Sequence, residues 1–66
     1  MDNMNRKYKF GTDNTVEFTW SSNTVKIEIN GPKKKWSNVE FFKTEFEAMV
    51  DFRKSIQAQR GRERLN

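Results

Sequence analysis

Thr24-Val25-Lys26-Ile27-Glu28-Ile29-Asn30 decides how this sequence folds. Val25, Ile27 and Ile29 alternate strictly with Lys26, Glu28 and Asn30, and the three apolar members are all β-branched. Successive strand side chains point to opposite faces, so this pattern predicts a strand with one face buried and one wet. Antiparallel meanders are built from such strands. Upstream, Ser21-Ser22-Asn23 reads as a turn. Before it, Val16, Phe18 and Trp20 share one face of a strand over Thr15 to Ser21, with Glu17 and Thr19 opposite. Gly11-Thr12-Asp13-Asn14 marks another turn, and Tyr8 and Phe10 alternate with Lys7 and Lys9 ahead of it. Residues 1–5 read as a loose polar lead.

Downstream, Gly31-Pro32 ends the strand, because Gly permits a tight turn and Pro removes a donor. Lys33-Lys34-Lys35 falls on the connection. A fourth strand is predicted from about Trp36 to Phe42, with Val39 and Phe41 on one face and Asn38, Glu40 and Phe42 on the other. The period then changes. Thr44 with Glu47 three residues later is a capping-box signature, and no Gly or Pro interrupts Glu45 to about Gln59. The expected fold is α+β: a four-stranded antiparallel sheet followed by one C-terminal helix. A single domain over 6–60 precedes a basic, flexible tail over 61–66.

On the helical wheel Phe46 and Val50 lie together, Met49 and Ile56 beside them, and Phe52 and Ala48 extend the arc. That arc spans roughly 200°, wider than a helix covering one sheet requires. It predicts a helix with two clients, the sheet and a second subunit, the latter met by Met49, Phe52, Arg53 and Ile56. Phe41 and Phe46 are assigned to the core.

Composition supports the same reading. The 66 residues hold nine aromatics but a single leucine, Leu65, and one third of them are charged. Such a chain builds a thin core, and small scaffolds without disulfides or metal commonly complete theirs by oligomerising. Cysteine and histidine are both absent. Disulfides, thiolate metal sites and histidine-based catalysis are excluded with them, and Ser21, Ser22 and Ser37 lack an activating base. No catalytic site, cofactor or metal is expected, and the function is not enzymatic. Lack of cysteine fits the cytoplasm, and no apolar run approaches the roughly 18 residues of a membrane span.

The net charge is +4. Its placement singles out Lys33-Lys34-Lys35-Trp36, where ammonium groups can meet phosphates while a base stacks on the indole. Lys7, Lys9 and Lys26 are secondary phosphate contacts, and Tyr8 and Trp20 are further stacking candidates. Phe42 fits either a stacking platform or a hydrophobic staple at the helix start. Glu17 and Glu40 are assigned to cross-strand pairs rather than acid–base work.

Tyr8-Lys9-Phe10-Gly11, Val16-Glu17-Phe18, Asn23-Thr24-Val25-Lys26-Ile27-Glu28-Ile29, and Val39-Glu40-Phe41 leading to Thr44-Glu45-Phe46 follow one another in an order with a known likeness. Between Tyr8 and about Ile56 the chain resembles the positive-cofactor-four family of coactivator-like single-stranded DNA-binding domains, found in eukaryotes, bacteria and phages. The resemblance implies a curved sheet, a homodimer formed through the helix, and single-stranded nucleic acid bound across the strands. Lys33 to Lys35 match the family's basic stretch before the fourth strand. Thr19, Ser21 and Asn30 stand where the family places Arg and Lys.

The expected function is therefore largely sequence-nonspecific binding of single-stranded nucleic acid, DNA preferred, by a cytoplasmic homodimer serving transcription, replication or recombination. The alternative is a small protein-interaction module, such as a phage-type modulator docking its basic aromatic sheet on an acidic host enzyme or polymerase.

Overall fold

The computed structural model describes residues 3–66. Strands β1 (Met4–Phe10), β2 (Asn14–Ser21), β3 (Thr24–Asn30) and β4 (Lys35–Phe41) lie in chain order across one antiparallel sheet, and helix α1 (Glu45–Gln57) follows. The sheet is open and is not strongly curled. Its turns are tied by side chains as well as backbone. Trp20 Nε1 donates to the Ser22 carbonyl at 2.8 Å, and Thr24 Oγ1 to that of Ser21 at 2.7 Å. Ser22 itself takes a left-handed conformation, φ 55°, in the short β2–β3 turn.

Register sorts the side chains into two faces. Tyr8, Val16, Ile29 and Trp36 form one cross-strand row; Arg6, Phe18, Ile27 and Asn38 form the next; Met4, Trp20, Val25 and Glu40 form a third. α1 packs on this face, chiefly over β2 and β3. The buried core is Tyr8, Val16, Phe18, Val25, Ala48 and Phe52. The opposite face carries the rows Lys7–Glu17–Glu28–Ser37 and Asn5–Thr19–Lys26–Val39, polar but for Val39.

The helix start is capped as its sequence predicts. Thr44 Oγ1 accepts from the Glu47 amide at 3.1 Å, and a Glu47 carboxylate oxygen accepts from the Thr44 amide at 3.2 Å. The helix rotation differs from expectation. Ala48 and Phe52, one turn apart, face the sheet, because the small Ala48 lets the helix axis approach while Phe52 fills the space alongside. Phe46 therefore points away and is 68% exposed. Phe41 leaves the core as well, at 74% exposed. The Gly31 amide donating to the Lys34 carbonyl and the Phe42 amide donating to that of Asn23 fix the β4 register. That register turns Trp36, Asn38 and Glu40 towards the helix side, and Val39 and Phe41 away from it.

Both chain ends differ from the expected loose segments. Met4 and Asn5 belong to β1, while residues 1–2 lie outside the described residues. After α1 the chain reverses through Gly61, φ 92°, and returns antiparallel along β1. The Lys9 amide donates to the Glu63 carbonyl at 2.9 Å and the Leu65 amide to that of Lys7 at 2.7 Å. Asn66 adds side-chain bonds to the Lys7 amide and to Asn5.

Two expectations follow. Phe52→Ala should lower unfolding free energy by about 3–5 kcal/mol in urea titrations, while Phe46→Ala should change it by less than about 0.5 kcal/mol. A Cβ at Gly31 would collide with the Asn14 carboxamide. Gly31→Ala should therefore lower the denaturation midpoint, and adding Asn14→Ala should restore much of it.

Candidate nucleic-acid interface

α1 leaves the fourth strand uncovered, and every residue of β4 is exposed. On the helix side this opens one corner of the sheet, at the end carrying the 11–13 and 31–34 turns. A cleft of about 360 Å³ there is lined by Phe10, Asn14, Ile29, Lys34, Lys35 and Trp36. Trp36 is 52% exposed, so its ring is only partly engaged by the sheet below it. Beside the cleft, a second depression lies between Thr12-Asp13-Asn14 and Pro32-Lys33-Lys34. The Arg62 guanidinium sits 4.8 Å from the centre of the Phe10 ring, a cation–π contact that brings the returning chain to the same corner.

The corner thus combines two aromatic rings with Lys33, Lys34 and Arg62, while Lys35 borders it from the row Lys9–Thr15–Asn30–Lys35 on the opposite face. Asp13 is the acid that lines it. Among the described residues none of these three lysines is held in a salt bridge. Such an arrangement can take a flat apolar group against the indole and an anion against the ammonium groups. Among the described residues no group of acidic residues could hold a metal, and no helix is long and apolar enough to cross a membrane.

The other candidates are dispersed. Tyr8 is only 9% exposed and meets Phe18 edge-on, with ring centres 6.4 Å apart. Trp20 packs against Phe52 at 6.1 Å. Tyr8 serves the core and Trp20 packs against it, so neither offers a free ring face for stacking. Lys7, Lys9 and Lys26 project from the opposite face. There Lys9 pairs with Glu63 at 3.8 Å and Lys26 with Glu28 at 3.9 Å. Phe42 is half-buried and packs against the core, which favours an anchoring role at the helix start over a stacking platform.

The helix residues expected to meet a second subunit also separate. Phe52 is 1% exposed, buried on its own sheet, and Ile56 packs against the same core. Met49 is half-buried and Arg53 exposed. Phe52 is thus unavailable to a partner in this fold. Phe10 and Arg62 join the corner without having been expected there. A terminal aromatic beside a glycine turn could have flagged Phe10, whereas nothing local to Arg62 reveals its contact with β1.

No protein-family model matches the sequence, and no curated protein does. The fold does have a solved counterpart, the crystal structure of a Bacteroides fragilis protein determined by the Northeast Structural Genomics Consortium. It superposes with a TM-score of 0.79 over 96% of this chain at 16% sequence identity. The chain spans only 20% of that protein's length. A likeness at this identity extends to the fold alone.

The returning chain holds the Arg62 side of the corner. Leu65→Pro removes the amide bonded to Lys7, a bond worth about 1 kcal/mol net. The Lys9 amide should then exchange roughly fivefold faster with deuterium, as hydrogen-exchange NMR would read, with the amides of β3 unaffected.

Proposed function

We propose that the protein binds single-stranded nucleic acid, DNA by preference and with little regard to sequence, through the Trp36 corner. The observation that carries this reading is the half-exposed indole of Trp36 beside Lys33 and Lys34, with Lys35 at its border, on a strand the helix leaves bare. A nucleobase stacked on that ring gains on the order of 1–3 kcal/mol whatever its identity. The lysines, with Arg62 near Phe10, neutralise the adjoining phosphates and release their counterions. A duplex keeps its base faces stacked internally, so it would gain the phosphate contacts without the indole. The preference for single strands follows from that difference.

The likeness of Lys33 to Lys35 to the basic stretch of the positive-cofactor-four family supports the same reading. In this role the protein would serve transcription, replication or recombination by holding exposed strands. Lys7, Lys9 and Lys26 are at most peripheral to such a track, because they lie on the other face.

Fluorescence anisotropy of a labelled mixed-sequence single strand, titrated at several salt concentrations with a duplex competitor, tests the proposal. Trp36→Ala should weaken binding by roughly 1–3 kcal/mol without changing the salt slope. Replacing Lys33, Lys34 and Lys35 with Ala should flatten the log–log salt slope by about 2, at about 0.7 per phosphate contact. Absence of binding at low salt, or equal affinity for duplex, would overturn the reading. Capture of an acidic protein from lysate that survives nuclease treatment would then favour the docking module instead.

A further inference from the structure

We propose that β4 is a self-association strand, pairing antiparallel with β4 of a second copy about a two-fold axis through Asn38. The inference starts from the β3–β4 ladder and engages some of the residues assigned above to nucleic acid. The Phe42 amide bonds to the Asn23 carbonyl and the Gly31 amide to the Lys34 carbonyl. Hydrogen-bonded pairs alternate with open ones along an antiparallel ladder. Between those two bonds, Trp36, Asn38 and Glu40 therefore point their backbone groups at β3. Lys35, Ser37, Val39 and Phe41 point theirs outward, where among the described residues no strand meets them.

Natural edges are usually blunted by proline, bulges or charge. β4 has neither proline nor a break in register, and carries no charge between Lys35 and Glu40. It also exposes Trp36, Val39 and Phe41. The other edge of the sheet is treated differently, being occupied by the returning C-terminal residues.

Charge identifies the occupant as a second copy. One end of β4 carries Lys33, Lys34 and Lys35; the other carries Glu40, Glu45 and Glu47 against Lys43. Antiparallel self-pairing brings the basic end of each copy to the acidic end of the other, twice over. Only registers that match outward residues with outward residues can form bonds. Centring on Asn38 engages the whole strand. Lys35 then lies across from Phe41 of the partner subunit, Ser37 from the partner's Val39, and Trp36 from the partner's Glu40. Sliding by two residues in one direction would set Lys35 against the partner's Lys43, and in either direction would leave fewer residues paired. The two-fold keeps both helices on one side of a continuous sheet.

The sequence contains no cysteine, so single-cysteine variants read the register directly. Asn38 of the two copies would form an open pair with Cα atoms about 4.5 Å apart, within disulfide reach. Asn38→Cys should oxidise to a covalent dimer under conditions in which Ser37→Cys stays largely monomeric. Val39→Pro removes an outward amide without touching the β3–β4 ladder. In sedimentation velocity it should shift the wild-type dimer to monomer, with circular dichroism reporting a retained fold. A wild-type protein monomeric up to millimolar concentration would overturn the proposal. So would equal crosslinking of the two cysteine variants, or a dimer that survives Val39→Pro.

Discussion

The seating of Ala48 and Phe52 on the sheet is the contact on which the rest depends. Four strands joined by short turns have no means of excluding water from Val16, Phe18 and Val25 by themselves. One helix supplies that cover, and it is just long enough to cross β2 and β3. Because the helix is short and set by its capping box, its footprint is limited. What it covers becomes core, and what it misses stays accessible. The Trp36 corner, the bare fourth strand and the exposed Phe46 all result from that one footprint.

The same footprint explains what could be read from residues alone. The order of elements was legible because β2 and β3 alternate cleanly and Thr44 and Glu47 form an unambiguous cap. Both strands lie under the helix, so burial enforces their pattern. β4 lies outside it, and neither of its faces must be apolar; Trp36 and Val39–Phe41 then point opposite ways, and periodicity cannot choose between them. Hydrogen bonds at the two ends of the strand make that choice. The rotation of α1 was hidden for a related reason. Its apolar arc is broad, and the deciding residue is a small alanine, which a hydrophobicity pattern undervalues against Phe46. The candidate site was legible in its lysine–tryptophan centre, which is local. Arg62 was not, since its place depends on the chain returning to β1.

Charge is partitioned by the sheet as strictly as hydrophobicity. The polar face sets Glu17 and Glu28 among Lys7, Lys9 and Lys26, so much of its positive charge is locally answered. Asn5 donates to Glu17 at 2.7 Å and to Thr19 at 2.8 Å, extending this network across the strands. The connection before β4 has no comparable acidic lattice. A modest net charge thus yields a concentrated field at one corner, where it lies beside an aromatic surface.

The returning C-terminal residues have a further consequence for assembly. Strand edges are the valences of a β-protein: two open edges allow chains to add without limit, and none allows no addition. Here the β1 valence is occupied over Lys7 to Lys9 by the chain's own end, leaving one on β4. A monovalent sheet can join only one neighbour through its edge, and that union closes. Residues 63–65 thus leave less of β1 than of β4 open to strand pairing, an asymmetry between the two edges of the same sheet.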